Sequence, residues 1–333
     1  MKLRRVINQA NIYISLWCIY FLQGSLYPQG SIISQGVFLL VILISLYNWF
    51  VVNSKYKRPI YFKGLNWLLI MFILYGTILI LDGSSLPKWI GKHTYLQHIL
   101  ISLLPIYSAY LYTRKGQITE QSLSWWIPIW LVITTFSFYF NREKELMDIV
   151  SGRTEITNNV SYTFLALMPA MVIYHKKQIL QYAGFLYCMM FILMGMKRGA
   201  ILISVIVFCF FLYESLKVAN RKLKIYILLL SVILIGIVSY YVVDLLESSA
   251  YFIGRIEETL EGDSSGRDLI YSKLYKSYFT DTNVFYLLFG RGANATVSIV
   301  GNYAHQDWLE ILINQGVVGV ILYIYYFICY IRS

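Results

Sequence analysis

Apolar residues run along this chain in blocks of about twenty, separated by short polar connections. Roughly 20 helical residues cross about 30 Å of hydrocarbon. Ten blocks are long enough: 8–26, 31–52, 65–82, 94–112, 122–140, 159–175, 178–196, 199–216, 224–243 and 308–330. Each predicts a helix, because a segment in lipid must satisfy its backbone N–H and C=O groups internally. The expected fold is all-α, a polytopic integral membrane protein of about ten transmembrane helices with residues 1–333 forming a single membrane domain. One connection, 244–307, is long. Within it Ile256–Leu260 and Leu269–Tyr275 set apolar residues at helical spacing beside charges, which predicts amphipathic helices.

Composition strengthens this picture. With 58% hydrophobic and 14% charged residues and a mean hydropathy of +0.59, an ordinary cytosolic enzyme, a disordered chain and a secreted disulfide scaffold are excluded. Cys18, Cys188, Cys209 and Cys329 all lie inside apolar blocks without metal-ligand spacing, so neither a disulfide nor a metal is expected. Met1–Arg5 followed by an apolar run has the outline of a secretory signal, but no small-x-small cleavage site follows, and an uncleaved first span is expected.

The net charge of +11 sorts by side of the membrane. With the N-terminus inside, the inner segments carry 16 cations and 2 acids, and the outer segments 12 cations and 15 acids. Cytoplasmic loops collect Lys and Arg, so the N-terminus is expected to be cytoplasmic, loop 244–307 extracytoplasmic, and nucleic acid is not a partner.

Candidate chemistry gathers on the outer side. Lys197 and Arg198 sit in the short turn Met194-Gly-Met-Lys-Arg-Gly-Ala200. Two cations so close to hydrocarbon either snorkel to head groups or meet an anion at the positive end of the next helix. Arg267 precedes an amphipathic helix and Arg291 lies in the glycine turn Phe289-Gly-Arg-Gly292; either is a solvated cation or a bidentate phosphate ligand. In Asn302-Tyr-Ala-His-Gln-Asp-Trp-Leu309, His305 is a candidate proton acceptor near neutral pH.

The order of these motifs resembles the bacterial O-antigen polymerase and O-antigen ligase superfamily, the Wzy-type polysaccharide polymerases. The resemblance covers roughly residues 190–325 and rests on Arg198-Gly199, Gly266-Arg267, Phe289-Gly290-Arg291-Gly292, and Ala304-His305 with Leu309, Gly316 and Gly319. The family often has Asn after its His, where this chain has Gln306, and its members usually continue for further spans, whereas this chain stops at Ser333 as a short or truncated form would. The resemblance implies a glycosyltransferase at the outer face of the plasma membrane. It would transfer an undecaprenyl-diphosphate-linked oligosaccharide to the hydroxyl of another lipid-linked repeat unit, elongating capsule, exopolysaccharide or O-antigen. His305 would be the catalytic base and Arg198, Arg267 and Arg291 would bind the substrate diphosphate. A chain-length regulator and a flippase are the implied partners beside the bilayer. No Asp-x-Asp pair or nucleotide fingerprint occurs, so inverting transfer without metal or other cofactor is expected. Ligation to a different acceptor, or transport of a lipid-linked oligosaccharide, are the alternatives.

Overall fold

The computed structural model describes residues 8–26, 31–82, 91–150, 158–195, 197–218, scattered positions between 224 and 243, and 267–333, and every regular element among them is helical. In chain order these are α1 (Gln9–Leu26), α2 (Ile32–Lys55), α3 (Tyr61–Leu81), α4 (Lys92–Leu103), α5 (Pro105–Arg114), α6 (Glu120–Val150), α7 (Ser161–Leu167), a 3-10 helix (Pro169–Tyr174), α8 (Gln178–Met194), α9 (Arg198–Val218), α10 (Arg267–Phe279), α11 (Val284–Phe289), α12 (Ala295–Val300) and α13 (Asp307–Ile331). The chain divides into two compact units, Met1–Val41 with Tyr112–Ala250, and Ile42–Leu111 with Tyr251–Ser333.

In the first unit α1 packs on α6, while α7, the 3-10 helix, α8 and α9 pack around an aromatic core. Phe164 and Phe191 stack with centroids 4.6 Å apart, and Phe185 and Phe211 at 4.0 Å. In the second unit α3 packs against both α4 and α13. Gly64 permits the closest approach, since a Cβ there would lie 2.6 Å from the Cα of Tyr326. Asn66 Oδ1 accepts from Trp49 Nε1 at 2.9 Å and from the Tyr107 hydroxyl at 2.7 Å, and its Nδ2 donates to Asn53 Oδ1 at 2.7 Å.

The helices are apolar outward and partly polar inward. On α2, Leu43, Tyr47 and Phe50 are exposed while Ser45 and Asn48 are buried, and Asn48 Nδ2 donates to Ser108 Oγ at 3.0 Å. Such a surface suits lipid, and in lipid inward-facing hydroxyls and amides join neighbouring helices. Ile32–Lys55, Tyr61–Leu81, Glu120–Asn141 and Asp307–Ile331 are each long and apolar enough to span a membrane. The chain is therefore a helical, multi-pass membrane protein.

Two expected spans are interrupted. Block 94–112 is two helices, α4 and α5, of 12 and 10 residues, because Pro105 has no N–H to continue the ladder. Block 159–175 is a seven-residue α-helix followed by a six-residue 3-10 helix, with the change at Pro169. Helix α6 continues beyond the expected block 122–140 into the charged stretch Arg142-Glu-Lys-Glu145. The helix expected at Leu269–Tyr275 is part of α10. The one expected at Ile256–Leu260, and most of block 224–243, lie outside the described residues.

Candidate functional site

Helix α13 breaks once, at Gly316, whose φ of 68° and ψ of −165° are not helical. A break frees carbonyls one turn upstream, and a freed carbonyl in an apolar setting needs a donor. Here the glycine turn after α11 supplies two. Arg291 N–H donates to Ile313 O and Gly292 N–H to Asn314 O, each at 3.0 Å. The two backbones meet so closely that a Cβ on Gly290 (φ 74°) would lie 2.4 Å from Asn314 O, and one on Gly316 would lie 2.5 Å from Leu288 O. The Phe289–Gly292 motif and the Gly316 position, separate in the sequence, form one main-chain lock.

His305 lies in the segment that leads into α13. It is exposed and has φ 55°, in the left-handed region that L-residues enter at a cost of roughly 1–2 kcal/mol. The conformation is held from the residue before it. Ala304 is fully buried, and its N–H donates to Glu310 Oε2 at 2.7 Å. The other carboxylate oxygen, Oε1, accepts from Asn314 Nδ2 at 3.2 Å and from the Thr296 hydroxyl. Asn314 Oδ1 in turn accepts from Thr296 N–H at 3.2 Å. Glu310 thus joins α12, α13 and the His305 turn. Leu274 of α10 packs beneath them with Ala295, Ala304, Leu309 and Ile313. Gln306, the residue before α13, makes no side-chain cap hydrogen bond.

The three arginines differ. Arg291 has its guanidinium committed: Nε and Nη2 donate to Asp281 Oδ2 at 3.1 and 2.5 Å, and Nη2 also reaches Ser277 O at 3.2 Å. The Asn283 N–H, and then Arg291, hold the Asp281 carboxyl below its ordinary pKa. Because the folded value is the lower one, this pairing persists through neutral pH and is lost only as pH falls through that depressed value. Arg267 is the first residue of α10 and is exposed, and among the described residues no partner holds its guanidinium. Arg198 is the first residue of α9 in the other unit. A cation at the positive end of a helix is unfavourable unless an anion joins it, and a helix N-terminus also attracts anions.

The second unit therefore brings together His305, the glycine turn and Gly316, with Arg267 on the helix packed beneath. Sequence reasoning missed Glu310, Thr296, Asn314 and the Asp281 partner of Arg291. The spacing of four between Glu310 and Asn314, one helical turn, was the signal available for that pair. No protein-family description, curated protein or solved structure matches the chain.

Proposed function

We propose that the protein is a polysaccharide polymerase of the Wzy type, with about ten spans, a cytoplasmic N-terminus and its chemistry on the outer face of the plasma membrane. The observation that carries this reading is His305, an exposed imidazole kept in a strained backbone conformation by a carboxylate that accepts three hydrogen bonds. Strain of this kind persists where the surroundings over-determine it, and it concentrates at functional positions.

In the reaction, the acceptor hydroxyl oxygen attacks the anomeric carbon of the donor from the face opposite the diphosphate. The carbon–oxygen bond to the diphosphate breaks, its electron pair leaves with the diphosphate, and the hydroxyl proton passes to an imidazole nitrogen of His305. Arg267 neutralises the diphosphate in the unit that carries His305. Arg198, with the N-terminus of α9, holds a lipid diphosphate in the other. The absence of an Asp-x-Asp pair in the sequence favours a metal-independent reaction. Arg291 braces the glycine turn through Asp281 and is not assigned to substrate.

A broken membrane helix also occurs in transporters, where freed carbonyls line the transport path. In α13 the Ile313 and Asn314 carbonyls are taken by Arg291 and Gly292 N–H groups, which favours the enzyme. The test uses purified protein, lipid-diphosphate repeat units and chelator, with product length read on a gel. His305→Ala is expected to insert and bind substrate but to elongate it about 100- to 10,000-fold more slowly. Normal ladders from that variant would remove the proposed base.

A further inference from the structure

The connection from α2 to α3 in the second unit, Lys55-Tyr-Lys-Arg-Pro-Ile-Tyr-Phe-Lys63, carries four cations and no acid. It joins two helices that are each long and apolar enough to span a membrane, so with both inserted it lies at the level of the lipid head groups. Apolar surface continues directly from it. Phe50 and Tyr47 on α2, Ile60 in the connection, and Trp67 and Ile70 on α3 are all exposed. Tyr and Trp at such a boundary suit the polar–apolar interface of a bilayer.

Arg58 differs from the three lysines. Lys55, Lys57 and Lys63 are exposed, whereas Arg58 is half-buried and donates through Nη1 to Asn53 Oδ1. The same Oδ1 accepts from Asn66 Nδ2 at 2.7 Å, and Asn53 Nδ2 donates to Trp49 O at 2.8 Å. From α5 the Tyr110 hydroxyl braces the connection by donating to Lys57 O at 3.3 Å. The Arg58 charge is thus held in place, but its partner is a neutral amide, and among the described residues no carboxylate pairs with it. Along α3 the next acid is Asp82 at the C-cap, about 30 Å away. Asp307 and Glu310 begin α13, whose opposite end packs on the start of α3 through Tyr326 and Gly64. A guanidinium beside hydrocarbon without a counter-charge calls for an anion. With one nitrogen committed to Asn53, the rest of the planar fork can take a bidentate phosphate contact.

We infer that the α2–α3 connection binds an anionic phospholipid, its phosphate on Arg58 and its acyl chains along the exposed apolar faces of α2 and α3. Fixed charge and adjoining apolar surface together select an amphiphile over a soluble anion or an acidic protein segment, neither of which would use the apolar part. The exposed lysines add attraction that depends on charge alone, whereas Arg58 supplies a position. The site is remote in sequence from His305 and does not rest on the polymerase reading.

The experiment is native mass spectrometry of the full chain in non-ionic detergent, titrated with phosphatidylglycerol or with phosphatidylcholine of the same acyl chains. One phosphatidylglycerol is expected to bind about 10-fold or more tightly than phosphatidylcholine. Arg58→Gln and Lys57→Gln each remove one charge. The first is expected to weaken phosphatidylglycerol binding about 10- to 100-fold, as loss of a charge-assisted contact does, and the second by about 5-fold or less. Arg58→Lys is expected to fall between them, because it keeps the charge and loses the fork. Thermal unfolding in nanodiscs separates binding from folding: the midpoint in phosphatidylcholine reports packing, and the rise on adding phosphatidylglycerol reports the site. That rise is expected in the native chain and to be lost in Arg58→Gln. Equal binding of the two lipids, or equal losses in Arg58→Gln and Lys57→Gln, would overturn the site in favour of diffuse attraction. Deacylated glycerophosphoglycerol that bound as tightly as the lipid would overturn the lipid and leave a soluble anion.

Discussion

A carboxylate that accepts three hydrogen bonds cannot be exchanged for its amide without turning an acceptor into a donor. Glu310 faces Ala304 N–H, Asn314 Nδ2 and the Thr296 hydroxyl, so Glu310→Gln sets two donors against each other. The expected result is a loss of about 1–3 kcal/mol in unfolding in nanodiscs, with slower polymerisation because the residue before His305 is no longer fixed. Unchanged stability and rate would show that the network does not hold the turn. At Arg267 the expectation concerns shape as well as charge. Lys lacks the planar fork, so Arg267→Lys is expected to lose about 30- to 1000-fold in rate, as Arg267→Ala does; near-normal product from the Lys variant would leave only a solvated surface cation. His305, Arg267 and both glycines stood out in the sequence because each belongs to a short, ordered motif. Glu310, Thr296 and Asn314 did not, because their meeting depends on α12 folding back on α13, a contact that no local pattern records.

Among the helices, α13 carries the most consequential departure from regularity. Gly290 and Gly316 both have positive φ, and a side chain on either would collide with backbone. Gly316→Ala is expected to cost more than the roughly 1 kcal/mol that Gly→Ala can gain in an ordinary helix, and Gly290→Ala to be at least as damaging. The double variant is expected to cost less than the sum of the two, since both disrupt one contact. Strict additivity in thermal unfolding would show that the glycines act separately. Uninterrupted apolar blocks were legible: α1, α2, α3 and α8 lie close to their expected limits. Blocks containing Pro105 and Pro169 were not, because counting apolar residues registers composition and overlooks a missing backbone donor.

For the whole molecule, the excess of cations on alternate connections predicts an orientation that labelling can test. Cys18, Cys188 and Cys329 are buried, which leaves Cys209 as the exposed thiol to replace before adding a single reporter. A membrane-impermeant maleimide applied to intact cells is expected to label a cysteine at Asn302 and to miss one at Lys57. The reverse pattern would invert the topology and remove the outer-face chemistry with it.

The lock between the glycine turn and α13 also bears on how this chain can change over generations. Its hydrogen bonds run from Arg291 and Gly292 N–H to Ile313 and Asn314 carbonyls; every residue supplies the carbonyl, and every residue except proline the N–H. Substitution at Ile313, or of Arg291 by any residue but proline, therefore leaves those main-chain bonds their atoms, whereas the positive φ of Gly290, Gly292 and Gly316 ties the junction itself to glycine. Descendants can drift until little overall identity remains while still closing the same junction. Distant kin are best sought by a glycine in a short turn, a His segment after it, and a second glycine inside the apolar helix that follows.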